Sequence, residues 1–360
     1  MEASQLETPG RNARPEALVD TRVRDQRPTA AREEELGAAG CAARLNIGLM
    51  WEGNHTEVKY FILHGISIGE GTQAVLFPLF LLVYTLTLVG NLTIILLVRS
   101  NTSLHKPMYI LLGNLSFAEI WYTTATVPKM LSGFLSQRNY ISFIGCFLQY
   151  FFFFFLGSTE GFILTIMGYD RYLAICHPLR YNLLMSGRIC CRLATFCWVT
   201  GFLWTFVPVI LVSRLPFCGN EIDHLLCDTG PLLELSCVRD FLTEVTSSVV
   251  TSVVILISLC FTCISYLFII KTTVRIPSSS GRLKAFSTCA SHLTVVLMFL
   301  GGAMYMYVRP TGEHPLYTDK AVALIYTAVT PLLNPVIYSF RNKQFMDAVK
   351  KVIRRLLYKI

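Results

Sequence analysis

Charge is scarce in this chain. Of its 360 residues, 15% are Asp, Glu, Lys or Arg, against 53% that are hydrophobic. A water-soluble domain carries roughly 25% charged residues, so a soluble fold for the whole chain is excluded. Catalytic signatures are missing too. The sequence has no HExxH, no P-loop, no GxSxG and no paired CxxC, which leaves the common hydrolase chemistries without their residues. A secretory leader is also lacking: residues 1–49 are rich in Arg, Glu, Ala and Pro and hold no apolar core. They are expected to be a disordered N-terminal extension. The net charge of +8 does not indicate nucleic acid, because the basic residues sit in short loops and in the tail.

What the chain does have is long apolar runs. Seven of them, at about 74–98, 107–131, 146–172, 189–213, 241–271, 284–308 and 318–340, approach the ~20 residues that cross a bilayer as a helix. The expected fold is an all-α membrane protein, a seven-transmembrane helix bundle over 50–340. Residues 341–360 follow as a cytoplasmic amphipathic helix and tail, with Phe345, Ala348, Val349, Val352, Ile353, Leu356 and Leu357 at helical spacing between Lys and Arg. The partner of such a chain is the lipid bilayer. One set of loops holds Arg99, Lys106, Arg171, Arg180, Arg188, Arg192, Lys271, Arg275, Arg282 and Lys284, and the tail adds seven more basic residues. The opposite set holds Arg138, Arg214, Arg239, Arg309 and Lys320. The richer set should be cytoplasmic, which leaves the N-terminus outside. Seven arginines in the leader run against that rule, but most lie far from the first span. Asn54-His55-Thr56 is a glycosylation sequon on the expected outer side.

The stretch from Cys146 to Tyr181 organises the rest. It is apolar for about a bilayer's span, carries Glu160 mid-way and ends in Asp170-Arg171-Tyr172. Glu160 and Glu119 are each too costly to face lipid, so both should point into the bundle. If they meet, they can share a proton or hold a cation such as sodium, with Asn91 and Asn334 at similar depth. Arg171 can pair with Asp170 while the bundle is closed and be released when the helices part, a two-state latch. In PLLNPVIY, Pro335 frees a backbone carbonyl, Asn334 can satisfy it, and the segment from Pro331 to Tyr338 is a natural hinge. Cys146, Cys218, Cys227 and Cys237 fall on the oxidising side and suggest two disulfides, with three pairings open. Cys176, Cys190, Cys191 and Cys289 should be free thiols, and Cys197, Cys260 and Cys263 packing residues. The cytoplasmic histidines His105, His177 and His292 are too scattered to suggest a metal site.

Taken together, these runs resemble a family. Gly90-Asn91, LHKPMYILLGNLSFAEI at 104–120, MGYDRYLAICHPLRY at 167–181, KAFSTCASHL at 284–293 and PLLNPVIYSFRNK at 331–343, in this order and spacing, are similar to rhodopsin-like G-protein-coupled receptors. The chain is identified as a member of the olfactory (odorant) receptors from about Met50 onward. The resemblance implies pairing of Cys146 with Cys227 and of Cys218 with Cys237. It implies an acidic pair at Glu119 and Glu160 associated with sodium. It implies that Arg171 contacts the G protein and that Tyr266 and Tyr338 rearrange on activation. The ligand would be a small, largely apolar volatile in the outer half of the bundle, against Phe153, Phe154, Gly157 and Ser158, then Leu300, Ala303, Met304 and Tyr307, then Thr327. The implied partner is the olfactory stimulatory G protein, which raises cyclic AMP from the plasma membrane.

The chain departs from the family pattern in four places. Leu300 stands where Tyr is usual, which removes a polar contact beneath the ligand. Gly168 replaces Ala, Glu119 replaces the commoner Asp, and the family usually starts near Met50, so residues 1–49 read either as a rare extension or as an upstream start that is little used, the second being slightly favoured. The competing readings are a receptor for a non-odorant small molecule, a transporter or channel, and an intramembrane enzyme. The second lacks two repeated halves and the third a nucleophile–base pair.

Overall fold

The structure, a computed structural model, describes residues 58–65, 70–136, 139–308, 316–340 and 343–357. The leader and Asn54 lie outside the described residues. Helix α1 is Glu70–Ser100, α2 Pro107–Leu135, α3 Phe143–Cys176, α4 Gly187–Ser213, α5 Phe241–Val274 and α6 Ser279–Tyr307. Helix α7 comes in three pieces: Leu316–Leu324, a π-helical stretch Ile325–Val329, and Thr330–Phe340. Helix α8 is Lys343–Leu357.

The helices extend past the apolar runs that announce them. Hydropathy ends where lipid ends, but a helix continues until its free N–H groups find acceptors. Those acceptors are Ser142 for Gly145, Ser186 for Ile189, Asp240 for Thr243 and Ser278 for Gly281, at the starts of α3, α4, α5 and α6. Hydroxyls inside the spans bond back to their own helix, as Thr87 does to Val83 O, Thr126 to Tyr122 O and Thr205 to Gly201 O. In hydrocarbon there is no water to take them.

Six helices among the described residues are long and apolar enough to cross a membrane: α1, α3, α4, α5, α6 and α7. The remaining segment read from the sequence is α2. It has 29 residues, and Glu119, Lys129 and a run of hydroxyl residues lower its hydropathy. Its polar residues are answered by the bundle: Ser116, Glu119, Thr123 and Thr126 are all buried.

The surface and interior are inverted relative to a soluble protein. Leu82 of α1 is 56% exposed, Leu203 of α4 61% and Leu267 of α5 67%, while Asn91, Glu119, Glu160, Asp170, His292 and Asn334 are buried. Such a belt is stable only against lipid. Cys197 is buried as expected, but Cys260 and Cys263 are exposed on α5 rather than packed. They sit three apart on the outward face of that helix.

Helix α3 is the axis: it packs against α2, α4, α5 and α6. Its approach to α4 depends on Gly201, where a Cβ would collide with Thr159 Oγ1. Helix α1 closes on α7 in the same way, with Gly90 against Pro335. The all-α reading misses one small sheet. Strand β1, Tyr60–Leu63, pairs antiparallel with β2, Asn139–Ser142, and parallel with β3, Glu221–Ile222. Strands of two to four residues are too short to carry a period in sequence.

Candidate functional site

Within the bundle, α2 to α7 line a largely apolar cavity, the kind of concave, apolar site that small molecules occupy. Its wall on α3 is Tyr150, Phe153, Phe154, Gly157, Ser158 and Gly161. Facing it are Val250, Thr251, Val254 and Ile255 of α5, and Phe299, Leu300, Ala303 and Tyr307 of α6. Trp204, Thr205 and Pro208 of α4, Tyr122 of α2 and Tyr326 of α7 complete it. The two glycines of α3 leave the volume that side chains would fill. Tyr122 stacks on Phe153 at 5.3 Å between ring centroids.

The end of the bundle that carries the cavity is covalently held. Cys146, at the start of α3, is bonded to Cys227, and Cys218 to Cys237. The loop residue beside the first bridge, Asp228, is buried. Its Oδ1 accepts from Thr229 N–H at 2.6 Å and its Oδ2 from the Tyr307 hydroxyl at 2.8 Å. Tyr307 and Tyr326 hydroxyls are 3.0 Å apart. Burial pushes the Asp228 carboxyl up from its usual range, while His224 and the Tyr307 hydroxyl act against that. Further out, Lys320 Nζ of α7 meets Asp223 Oδ1 at 2.5 Å and Gly65 O at 3.1 Å, tying α7 to the loop and to the residues that follow β1.

Deeper in the bundle lies a polar cluster. Asn334 Nδ2 donates to Glu119 Oε1, and Asn91 donates to Thr87 O and Pro331 O. The remaining oxygens, Glu119 Oε2, both of Glu160, Asn91 Oδ1 and Asn334 Oδ1, are buried with no hydrogen-bond partner. Among the described residues no group of three or more His, Cys, Asp or Glu could hold a metal. Any cation here would lean on the two asparagine carbonyls as well as the carboxylates.

At the far end of α3, Arg171 pairs with Asp170 at 3.2 Å. Asp170 also accepts from the Tyr181 hydroxyl at 2.7 Å. Burial and the neighbouring Asp170 push the Tyr181 phenol up, so it remains a donor. Tyr172 and His177 Nε2 are 3.0 Å apart. Further inward, His292 corrects its reading as a scattered cytoplasmic histidine. It is buried in α6, with Nδ1 2.9 Å from the Tyr266 hydroxyl and Nε2 3.0 Å from Leu164 O, and so joins α3, α5 and α6. Tyr266 also donates to Cys289 O. Tyr338 is buried against the same core, and its hydroxyl has no partner.

The sequence profile of the olfactory receptor family matches residues 80–356. The chain belongs to the olfactory receptor family. Among Homo sapiens proteins, Olfactory receptor 11H6 is 50% identical over 297 residues, which cover 82% of this chain and 90% of that one. Olfactory receptor 11G2 is 50% identical over 299 residues, 83% and 87% of the two chains. Olfactory receptor 6S1 is 48% identical over 309, or 85% and 93%. The protein is thus a multi-pass membrane receptor of a G-protein-coupled, non-enzymatic family.

Of the residues this receptor was expected to place around a ligand, Phe153, Phe154, Gly157, Ser158, Leu300, Ala303 and Tyr307 line the cavity. Two do not. Met304 is 45% exposed on the outer surface of α6, since one residue past Ala303 turns about 100° around the helix. Thr327 is buried behind Tyr326 and Tyr122. Sequence reasoning found nothing on α2, α4 or α5. The α5 wall had a signal: Thr251, Val254 and Ile255 recur at helical spacing. Trp204 and Thr205 had none, because which face of α4 turns inward is settled by packing; Tyr122 had one, three residues after the inward-facing Glu119.

Proposed function

We propose that this receptor binds a small, largely apolar volatile molecule in the cavity and, on opening, releases Arg171 to a stimulatory olfactory G protein that raises cyclic AMP. The observation that carries the reading is one continuous helix. Helix α3 walls the cavity at one end and closes the Asp170–Arg171 pair at the other. A ligand that favours a different packing of α5, α6 and α7 around α3 shifts the latch only by its differential affinity for the open state. In the closed state Tyr266 and His292 hold α5 and α6 to α3, and Pro335 with Asn334 gives α7 its hinge.

The same reading puts the N-terminus outside and α8 on the inner leaflet, by the distribution of Lys and Arg. Residues 50–340 then form the receptor domain, 341–360 the cytoplasmic helix and tail, and Asn54 carries a glycan. We further propose sodium between Glu119 and Glu160. Its support is the set of orphaned oxygens on Glu119, Glu160, Asn91 and Asn334, a donor set of the kind hard cations take.

The test is cyclic AMP in cells expressing the full chain with the olfactory G protein, across a panel of volatiles, with Arg171→Ala alongside. A response abolished in Arg171→Ala at unchanged surface level is expected. A normal response in that variant would remove the latch.

A further inference from the structure

The hydroxyls above the cavity form a chain with a fixed direction. Asp228 Oδ1 takes the Thr229 N–H at 2.6 Å, and Oδ2 takes the Tyr307 hydroxyl at 2.8 Å. A carboxylate can only accept, so the single proton of Tyr307 is committed to it. The contact between Tyr307 and Tyr326 at 3.0 Å must then be made with the proton of Tyr326. Tyr326 is left with a lone pair and no proton to offer. Tyr122 lines the same cavity, and its buried hydroxyl has no hydrogen-bond partner. Most of the remaining wall is apolar; of its other hydroxyls, Thr205 is bonded to Gly201 O and Tyr150 to Thr229, so the polar end of a ligand meets these two oxygens together with Ser158 and Thr251.

We propose that this cavity selects alcohols and phenols over the ketones of the same carbon skeleton. A hydroxyl donates to Tyr326 and accepts from Tyr122 at once. A carbonyl accepts from Tyr122 and makes no bond of its own to Tyr326. The inference rests on the cavity being the odorant site, and it names the class of odorant.

Asp228→Asn provides the sharp test. The Thr229 N–H still needs an acceptor, so the amide oxygen stays on it and the NH₂ faces Tyr307. Tyr307 then accepts, its proton passes to Tyr326, and the proton of Tyr326 turns into the cavity. The direction of the whole chain reverses, while the cap on Thr229 is kept. Tyr326→Phe removes the acceptor without touching the loop, and stands in if Asp228→Asn fails to fold.

Binding is read as thermal stabilisation of the purified full chain by menthol and menthone, borneol and camphor, and carveol and carvone. In the native receptor the alcohols are expected to bind about fivefold more tightly than their ketones, the value of one net hydrogen bond. Asp228→Asn should cancel or invert that ratio, and Tyr326→Phe should level it. Equal or tighter binding of the ketones in the native receptor overturns the proposal. An alcohol preference unchanged in Asp228→Asn overturns it too, and so does binding of no member of any pair. Alcohols that bind without raising cyclic AMP would count against the coupling proposed above and leave this selectivity standing.

Discussion

The two ends of the bundle are held by different chemistry. At the cavity end, two disulfides, a three-stranded sheet and the Lys320–Asp223 pair fix the loops to α3 and α7. At the other end the contacts described are non-covalent: Arg171 and Tyr181 on Asp170, Tyr172 on His177, and, between α5 and α6, Tyr266 on His292. A covalent staple preserves one shape whatever the cavity contains. A polar latch can exchange partners one bond at a time at modest cost each. The difference assigns shape-keeping to one end and switching to the other.

The largest effect should come from breaking the stapled end. Cys146→Ser opens a bridge that spans 81 residues, and loss of such a disulfide costs about 2–5 kcal/mol. Surface immunostaining should show the chain retained inside the cell. Cys218→Ser opens a bridge spanning 19 residues. By loop-closure entropy it should cost roughly 1 kcal/mol less and leave a measurable surface fraction. Equal retention of both variants would show that the cavity end is not graded by loop length.

Tyr181→Phe attacks the opposite end. It removes one donor from Asp170, worth about 1–2 kcal/mol, and favours release of Arg171. Surface level should stay near that of the native chain while ligand-free cyclic AMP rises about threefold to tenfold. A fall in surface level with no rise in basal signal would mean that this end, too, only keeps shape. The smallest effect is expected at Met304→Ala. The side chain faces outward, so odorant potency should shift less than twofold, about 0.4 kcal/mol, whereas Ala303→Leu, which fills the cavity, should weaken the response.

The sequence disclosed the helices and the acids with little ambiguity. An apolar run of a bilayer's length has one stable form in lipid, and Glu119, Glu160 and Asp170 had nowhere to go but inward. His292 was misjudged because its burial more than three helical turns inside α6 is set by packing against α3 and α5, which a Lys and Arg count cannot resolve. Met304 was misjudged by a single residue of helix rotation. Trp204 and Thr205 were missed because α4 is apolar on every face, so no periodicity marks which side is inward, whereas Tyr122 stands three residues after Glu119 on the polar face of α2 that had to turn inward.

By itself, the sequence determined the count and order of the spans, the residues that had to be buried, and the family. Those follow from local quantities: hydropathy over a window, the cost of charge in hydrocarbon, and motifs read in order. The tertiary structure alone decided which faces meet. Gly201 lets α4 touch α3 and Gly90 lets α1 reach Pro335. Asp228 reaches Tyr307 across 79 residues of chain. Rotation of a helix about its axis changes none of its local energies and all of its neighbours, so only packing could settle it.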